Sequence, residues 1–169
     1  MENELTQEII AQSIFRMQEN PPRIKNCLER LSETEVWQKP NEASNSIGNL
    51  ILHLCGNITQ YIIASLGNTE DQRTRDLEFS TTGGFSKAVL LEKIEDVVKN
   101  ATEVIEKCEA EDLLKVRSVQ GFEFSGIGII IHVVEHLSYH TGQIAFWTKY
   151  IKGEDLGFYA GLDLDIKNK

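Results

Sequence analysis

Residues 125–152 read SGIGIIIHVVEHLSYHTGQIAFWTKYIK, and three of the chain's four histidines lie in this stretch, at His132, His136 and His140. Ser125 is placed to cap a helix here and Gly153 to stop it. On an α-helix, each residue four positions on lies about 40° round and one turn along. His136 and His140 can therefore face one point in space, the spacing with which a helix offers two imidazoles to a single metal ion. Taken alone, the pair reads equally well as two core histidines bonded to carbonyls. The first and last of the three lie about 12 Å apart along the axis, at ~1.5 Å per residue, so all three cannot easily converge on one ion. A third ligand then has to come from another helix, and His53 is the one histidine left. His132 reads as a structural or supporting residue. Glu135 competes as a ligand but points about 100° away from His136.

Moving outward, residues 46–66 (SIGNLILHLCGNITQYIIASL) read as a second long helix, with Asn45 or Ser44 as its cap. Ile47, Leu50, Ile51, Leu54, Ile58, Ile62 and Leu66 form its core face. Beside that face runs a stripe of Asn49, His53, Asn57, Gln60 and Tyr61, the kind of polar edge an internal site between helices needs. For Asn49 and Gln60, a merely solvated helix edge is an equally good reading. Residues 4–32 form a helix interrupted at Asn20-Pro21-Pro22, because proline cannot donate to the helix ladder. Residues 33–45 connect the two, and Trp37 covers one end of the core. Residues 86–109 form the third helix, with Ser86 as cap.

Two segments depart from helical period. Residues 67–85 (GNTEDQRTRDLEFSTTGGF) form a loop longer than helix connections usually are. Its Arg73, Arg75, Asp76 and Glu78 either stitch the loop to the bundle surface, or one Arg reaches over the site to take an anionic group. The alternation in KVRSVQGFEFS, around Gln120-Gly121, predicts a short β-ribbon before the last helix. The whole is an all-α, four-helix bundle spanning residues 1–169 as one domain, and bundles build metal sites from side chains on facing helices.

A net charge of −9 and the lack of a Lys/Arg cluster speak against nucleic acid as a partner. The N-terminus, MENELTQEII, lacks the apolar core of a secretory signal, and the longest apolar run is too short to span a bilayer. Cys27, Cys55 and Cys108 are odd in number and contain no CxxC, as in a reduced, cytoplasmic protein. There is no P-loop, GxGxxG, GxSxG or HExxH. Three neutral histidines leave a metal with open positions for water or a substrate thiolate or carboxylate, the catalytic pattern. Gln143, one turn past His140, either orients a ligand or is an ordinary surface amide. Three imidazoles do not choose among zinc, nickel, copper and iron.

Two stretches together, IGNLILHLCGN in the second helix and VVEHLSYHTGQI in the last, resemble the DinB-like family. The first matches that family's helix with a single metal-binding histidine, here His53. The second matches its HxxxHxGQI signature, here His136, His140, Gly142, Gln143 and Ile144. The segment RTRDLEF is similar to a subgroup of the same family. The resemblance implies a four-helix bundle, a three-histidine site for zinc or nickel, and a homodimer. It also implies metal-dependent transfer chemistry, in which a low-molecular-weight thiol such as bacillithiol or glutathione is added to a small electrophile. A metal-dependent small-molecule hydrolase and a non-catalytic metal-binding stress-response protein are the competing expectations.

Overall fold

The computed structural model describes residues 2–168, with side chains from residue 4 onward. Helices α1 (Glu2–Gln18) and α2 (Asn20–Arg30) form the first, broken rod of the bundle. The break falls at Glu19, and Pro21 and Pro22 sit in the first turn of α2, where a missing N–H costs nothing. The connection that follows carries a short helix, α3 (Glu33–Trp37). Trp37 is half-buried against the core, and its Nε1 donates to the carbonyl of Phe85.

The second rod, α4, runs as an α-helix over Ile47–Ile58 and continues as a π-helix over Thr59–Leu66. Ser46 rather than Asn45 or Ser44 caps it. Its hydroxyl accepts from the Asn49 N–H, and the Asn49 side chain accepts from the Ser46 N–H. This reciprocal box needs a short acceptor at the cap and a second one three residues on, which only the Ser46/Asn49 pair supplies. In the wider π turn, bonds span five residues, as from Gly67 N to Ile62 O.

The long connection expected over 67–85 is present but not structureless: α5 (Arg75–Ser80) lies within it and packs on α4. Next come α6 (Lys87–Glu106), capped by Ser86 as expected, and the short α7 (Ala110–Leu114). Strands β1 (Val116–Val119) and β2 (Phe122–Ser125) pair antiparallel, with Val119 opposite Phe122. Gln120 and Gly121 both take positive φ, the two-residue hairpin turn whose twist matches its strands. The last rod, α8 (Gly126–Lys152), begins at the Ser125 cap and ends where Gly153 turns left-handed at φ 65°.

In the four-helix bundle, α4 packs between α6 and α8, and the α1/α2 rod closes the ring against the same two helices. Met17, Ile24, Ile51, Leu54, Ile58, Leu90, Ile94, Val133 and Leu137 fill the centre, all fully buried. Their spacing of three, four or seven on each helix makes one apolar stripe per rod. One window, Ile47–Leu66, is long and apolar enough to cross a membrane, yet 67% of it is buried inside the bundle. At the tail, Leu156 is buried and Phe158 packs on the core, while Tyr159 is exposed.

Candidate metal centre

The polar stripe of α4 meets α8 in an antiparallel seam. There the structure brings together the three histidines singled out by spacing: His53, His136 and His140. One ring nitrogen from each lies within 4.8 Å of the others. His53 Nε2 and His136 Nε2 are 2.9 Å apart. The His53 ring also stands edge-on to both partners, at centroid distances of 5.0 and 5.1 Å.

Two of the remaining nitrogens, His53 Nδ1 and His140 Nδ1, have side-chain partners. His53 Nδ1 lies 2.9 Å from Glu78 Oε2. A carboxylate only accepts, so Nδ1 carries the hydrogen and Nε2 is left bare toward its neighbours. His140 Nδ1 lies 2.7 Å from Gln143 Oε1, which fixes that ring in the same tautomer. Gln143, read from sequence as either an orienting group or a plain surface amide, orients His140.

Burial and neighbouring positive charge push His136 and His140 toward the neutral form. Desolvation, then His140, His53, His132 and Arg73, push His136 down from its usual 6.5 to about 3. His140 is lowered chiefly by desolvation, against a raising bond to Gln143. Convergent imidazole nitrogens are the donor set a divalent transition metal takes, so the residues present fit such an ion.

Glu78, read from sequence as one of the loop charges, supports the centre. It is buried, and Arg73 grips it with Nε at 2.7 Å and Nη2 at 2.9 Å. Burial alone would raise the Glu78 carboxyl, but the bonds from Arg73 and His53 outweigh it and hold the group below the usual carboxylate range. Arg73 Nη1 donates to Gln60 Oε1 at 2.8 Å, and Gln60 Nε2 donates to Asp71 at 2.7 Å. A relay therefore runs from Asp71 through Gln60, Arg73 and Glu78 to His53. Supports of this kind set the tautomer and ring direction of a ligating histidine.

Of the two sequence readings for the loop charges, stitching fits the observation. Arg73 is spent on Glu78, and Arg75 lies over the Phe79 ring at 4.9 Å. Each nitrogen of the Arg73 guanidinium already has an acceptor. The solvated-edge reading of Asn49 and Gln60 is overturned for Asn49, which is fully buried. Its amide donates to the Glu78 and Thr81 carbonyls, pinning α5 onto the start of α4. Gln60 is half-buried and works in the relay.

Gly56 makes this approach possible. A Cβ there would stand 1.9 Å from Glu78 Oε1 and 2.8 Å from its carboxyl carbon. The one sequence signal for this support was the RTRDLEF segment, whose Glu78 reads as a surface charge until the loop is folded back.

His132 stays outside the cluster, as its position on the helix predicted. Its ring stacks on Tyr61 at 4.3 Å and on His136 at 5.4 Å, and its Nε2 lies 3.4 Å from Asn57 Nδ2. Glu135 is exposed and takes no part. The three cysteines are unpaired. Desolvation raises the thiols of Cys55 to about 12 and Cys108 to about 11, and that of Cys27 as well, so none is a ready nucleophile.

Comparison with known proteins extends this picture. Residues 4–160 match the model of a family described as a protein of unknown function, DUF1572. A conserved protein from Enterococcus faecalis aligns in structure with a TM-score of 0.72 and 15% identity, over 85% of this chain and 97% of that one. A DinB-like protein from Bacillus subtilis gives 0.64 and 16%, over 85% and 92%. Another DinB-like protein, from Bacillus cereus, gives 0.62 and 16%, over 84% and 90%. At these identities the likeness is one of fold. No curated protein matches the chain.

Proposed function

The chain belongs to the DUF1572 family and has the DinB-like bundle fold, and from that premise we propose that His53, His136 and His140 hold one divalent metal ion in a metal-dependent enzyme. The observation that carries the reading is the convergence of three ring nitrogens within 4.8 Å, with His53 aimed by a buried carboxylate. Zinc or nickel suits three imidazoles. Such an ion, when bound, supplies Lewis acidity and lowers the pKa of a thiol or water that meets it.

The chemistry we assign is transfer of a low-molecular-weight thiol, of the bacillithiol or glutathione kind, to a small electrophile. Burial raises the thiols of all three cysteines, so in this reading the nucleophilic sulfur arrives with a ligand and not from the chain. The chain's residues do the positioning: Glu78 holds the proton on His53 Nδ1, Gln143 holds the proton on His140 Nδ1, and the seam between α4 and α8 shields the donors. Unpaired cysteines support a reducing, cytoplasmic setting. A homodimer belongs to the same reading, supported by the exposed Leu5 and Phe15 on α1.

Elemental analysis of the purified protein beside His53→Ala and His136→Ala tests the centre. One equivalent of metal per chain, lost in both variants, is the expected result. Wild-type protein that takes up neither zinc nor nickel on reconstitution overturns the proposal. If metal is retained, turnover of an electrophile only in the presence of added thiol, and not in His136→Ala, tests the transfer chemistry.

A further inference from the structure

Beside the centre, α8 and the segment before α4 enclose a groove of about 820 Å³. Tyr139, Phe146, Trp147 and Tyr150 wall it from α8, Leu50 from α4, and residues 40, 41 and 43–45 from the opposite side. Tyr139, Phe146 and Tyr150 are 62%, 70% and 71% exposed, which is unusual for three large aromatics on one helix stripe. Trp147 and Tyr150 stack on each other at 4.9 Å and 13°, making a flat π surface.

The groove joins the centre at one end. Gln143 lines it and also bonds His140, while the Tyr139 ring stands 5.0 Å from the His140 ring. Leu50, on the same side of α4 as His53, lies one turn before it.

The charge pattern decides what the groove takes. The chain carries 17 basic and 26 acidic residues, yet none of them is among the described residues lining this groove. Its polar groups are neutral amides and hydroxyls: Asn41, Ser44, Asn45 and Gln143. A carboxylate or phosphate entering here would lose water and meet no cation. An aromatic ring would meet faces on which to stack and amides to bond a carbonyl or hydroxyl.

We infer that this groove binds an uncharged aromatic molecule of one or two rings, with its polar end toward Gln143 and the His140 edge of the centre. As the substrate class of the proposed enzyme, this rests on the metal-centre reading; binding to the groove does not. It assigns the groove to the neutral electrophile rather than to an anionic thiol.

The test is calorimetric titration with 1-naphthol and, separately, 1-naphthalenesulfonate, which share a ring system and differ in charge. Naphthol should bind wild-type protein about tenfold tighter or more than the sulfonate, since the latter buries an unpaired charge. Phe146→Glu, at an exposed position, should leave the melting temperature unchanged and weaken naphthol by a similar factor. No naphthol binding, equal or tighter sulfonate binding, or naphthol binding unchanged in Phe146→Glu overturns the inference. So does a wild-type dimer that Phe146→Glu splits into monomers, because a second copy then covers the face. Metal content measured on the same samples separates the two readings. Naphthol bound by a wild type that takes up no metal removes the metal centre and keeps the groove; metal bound without naphthol does the reverse.

Discussion

Helices α4 and α8 meet in two successive polar layers, one helical turn apart, and the layers have different fates. In the first, His53 faces His136 and His140; in the second, Asn57 faces His132. On α8 the spacing is the same throughout, four residues from His132 to His136 and four more to His140. What differs is the support behind the α4 residue. His53 is backed by Glu78, and each nitrogen of the Arg73 guanidinium behind Glu78 has an acceptor. Asn57 has no such backing: its Oδ1 is buried without a hydrogen-bond partner, and its contact to His132 is long at 3.4 Å. His132 is instead held by ring contacts with Tyr61 at 4.3 Å and Phe124 at 6.0 Å. Equal spacing on one helix therefore yields a convergent donor set only where a second helix and a buried acid complete it.

The sharpest way to break this contrast is Glu78→Ala. It strands a buried Arg73 and releases His53, so stability should fall by about 3–5 kcal/mol in urea denaturation, and metal affinity by about 10–100-fold. Asn57→Ala, in the other layer, should cost only about 1 kcal/mol. Equal costs in the two variants would abolish the distinction between the layers.

Gly56→Ala attacks the same support from beneath. The new methyl occupies the place of Glu78 Oε1, so the carboxylate has to move, at about 1–3 kcal/mol. Metal content at limiting metal should fall with it. A variant as stable and as metal-loaded as wild type would show that the close approach is dispensable.

Acid titration of metal-free protein gives a third, smaller effect. His136 has its folded pKa depressed from 6.5 to about 3, so between those values the unfolded chain binds more protons than the folded one. Its contribution to stability is complete above about pH 6.5 and declines as the pH falls toward about 3. Glu78 acts in the same direction at lower pH: its lowered carboxyl stabilises above the usual carboxylate pKa, and this is lost as pH falls through the folded value. The urea midpoint should therefore drop from about pH 6.5 to 4.5, and His136→Phe should flatten that slope. An unchanged slope in the variant would place the titration elsewhere.

The smallest change is expected from His132→Phe. The ring stack on Tyr61 survives and one long bond is lost, so stability should shift by less than about 1 kcal/mol. Metal stoichiometry should stay that of wild type. Loss of metal in this variant would move His132 into the centre and merge the two layers.

The fold was largely legible because each rod states its own period. The stripe Leu50, Ile51, Leu54 and Ile58, the caps Ser86 and Ser125, and the stop at Gly153 are local signals, and local geometry honours them. The Ser46 cap was missed by one or two residues, since several short polar side chains in a row offer the same local bond. The three ligand candidates were legible too: four histidines on two helices leave few ways to gather three.

Legibility stopped where a contact joins distant parts of the chain. Asn49 read as a helix edge because nothing nearby in sequence announces that Thr81, 32 residues on, will need its amide. Glu78 read as a loop charge because its burial depends on α5 folding back over Gly56. The sequence by itself determined the helices, their apolar faces and which histidines share a seam, because these follow from side-chain period along one element. Only the tertiary structure decided that His53 is aimed by a buried Glu78–Arg73 pair, and that an uncharged aromatic groove opens beside the centre. Those outcomes rest on desolvation and hydrogen-bond completion between elements, which no single stretch of sequence contains.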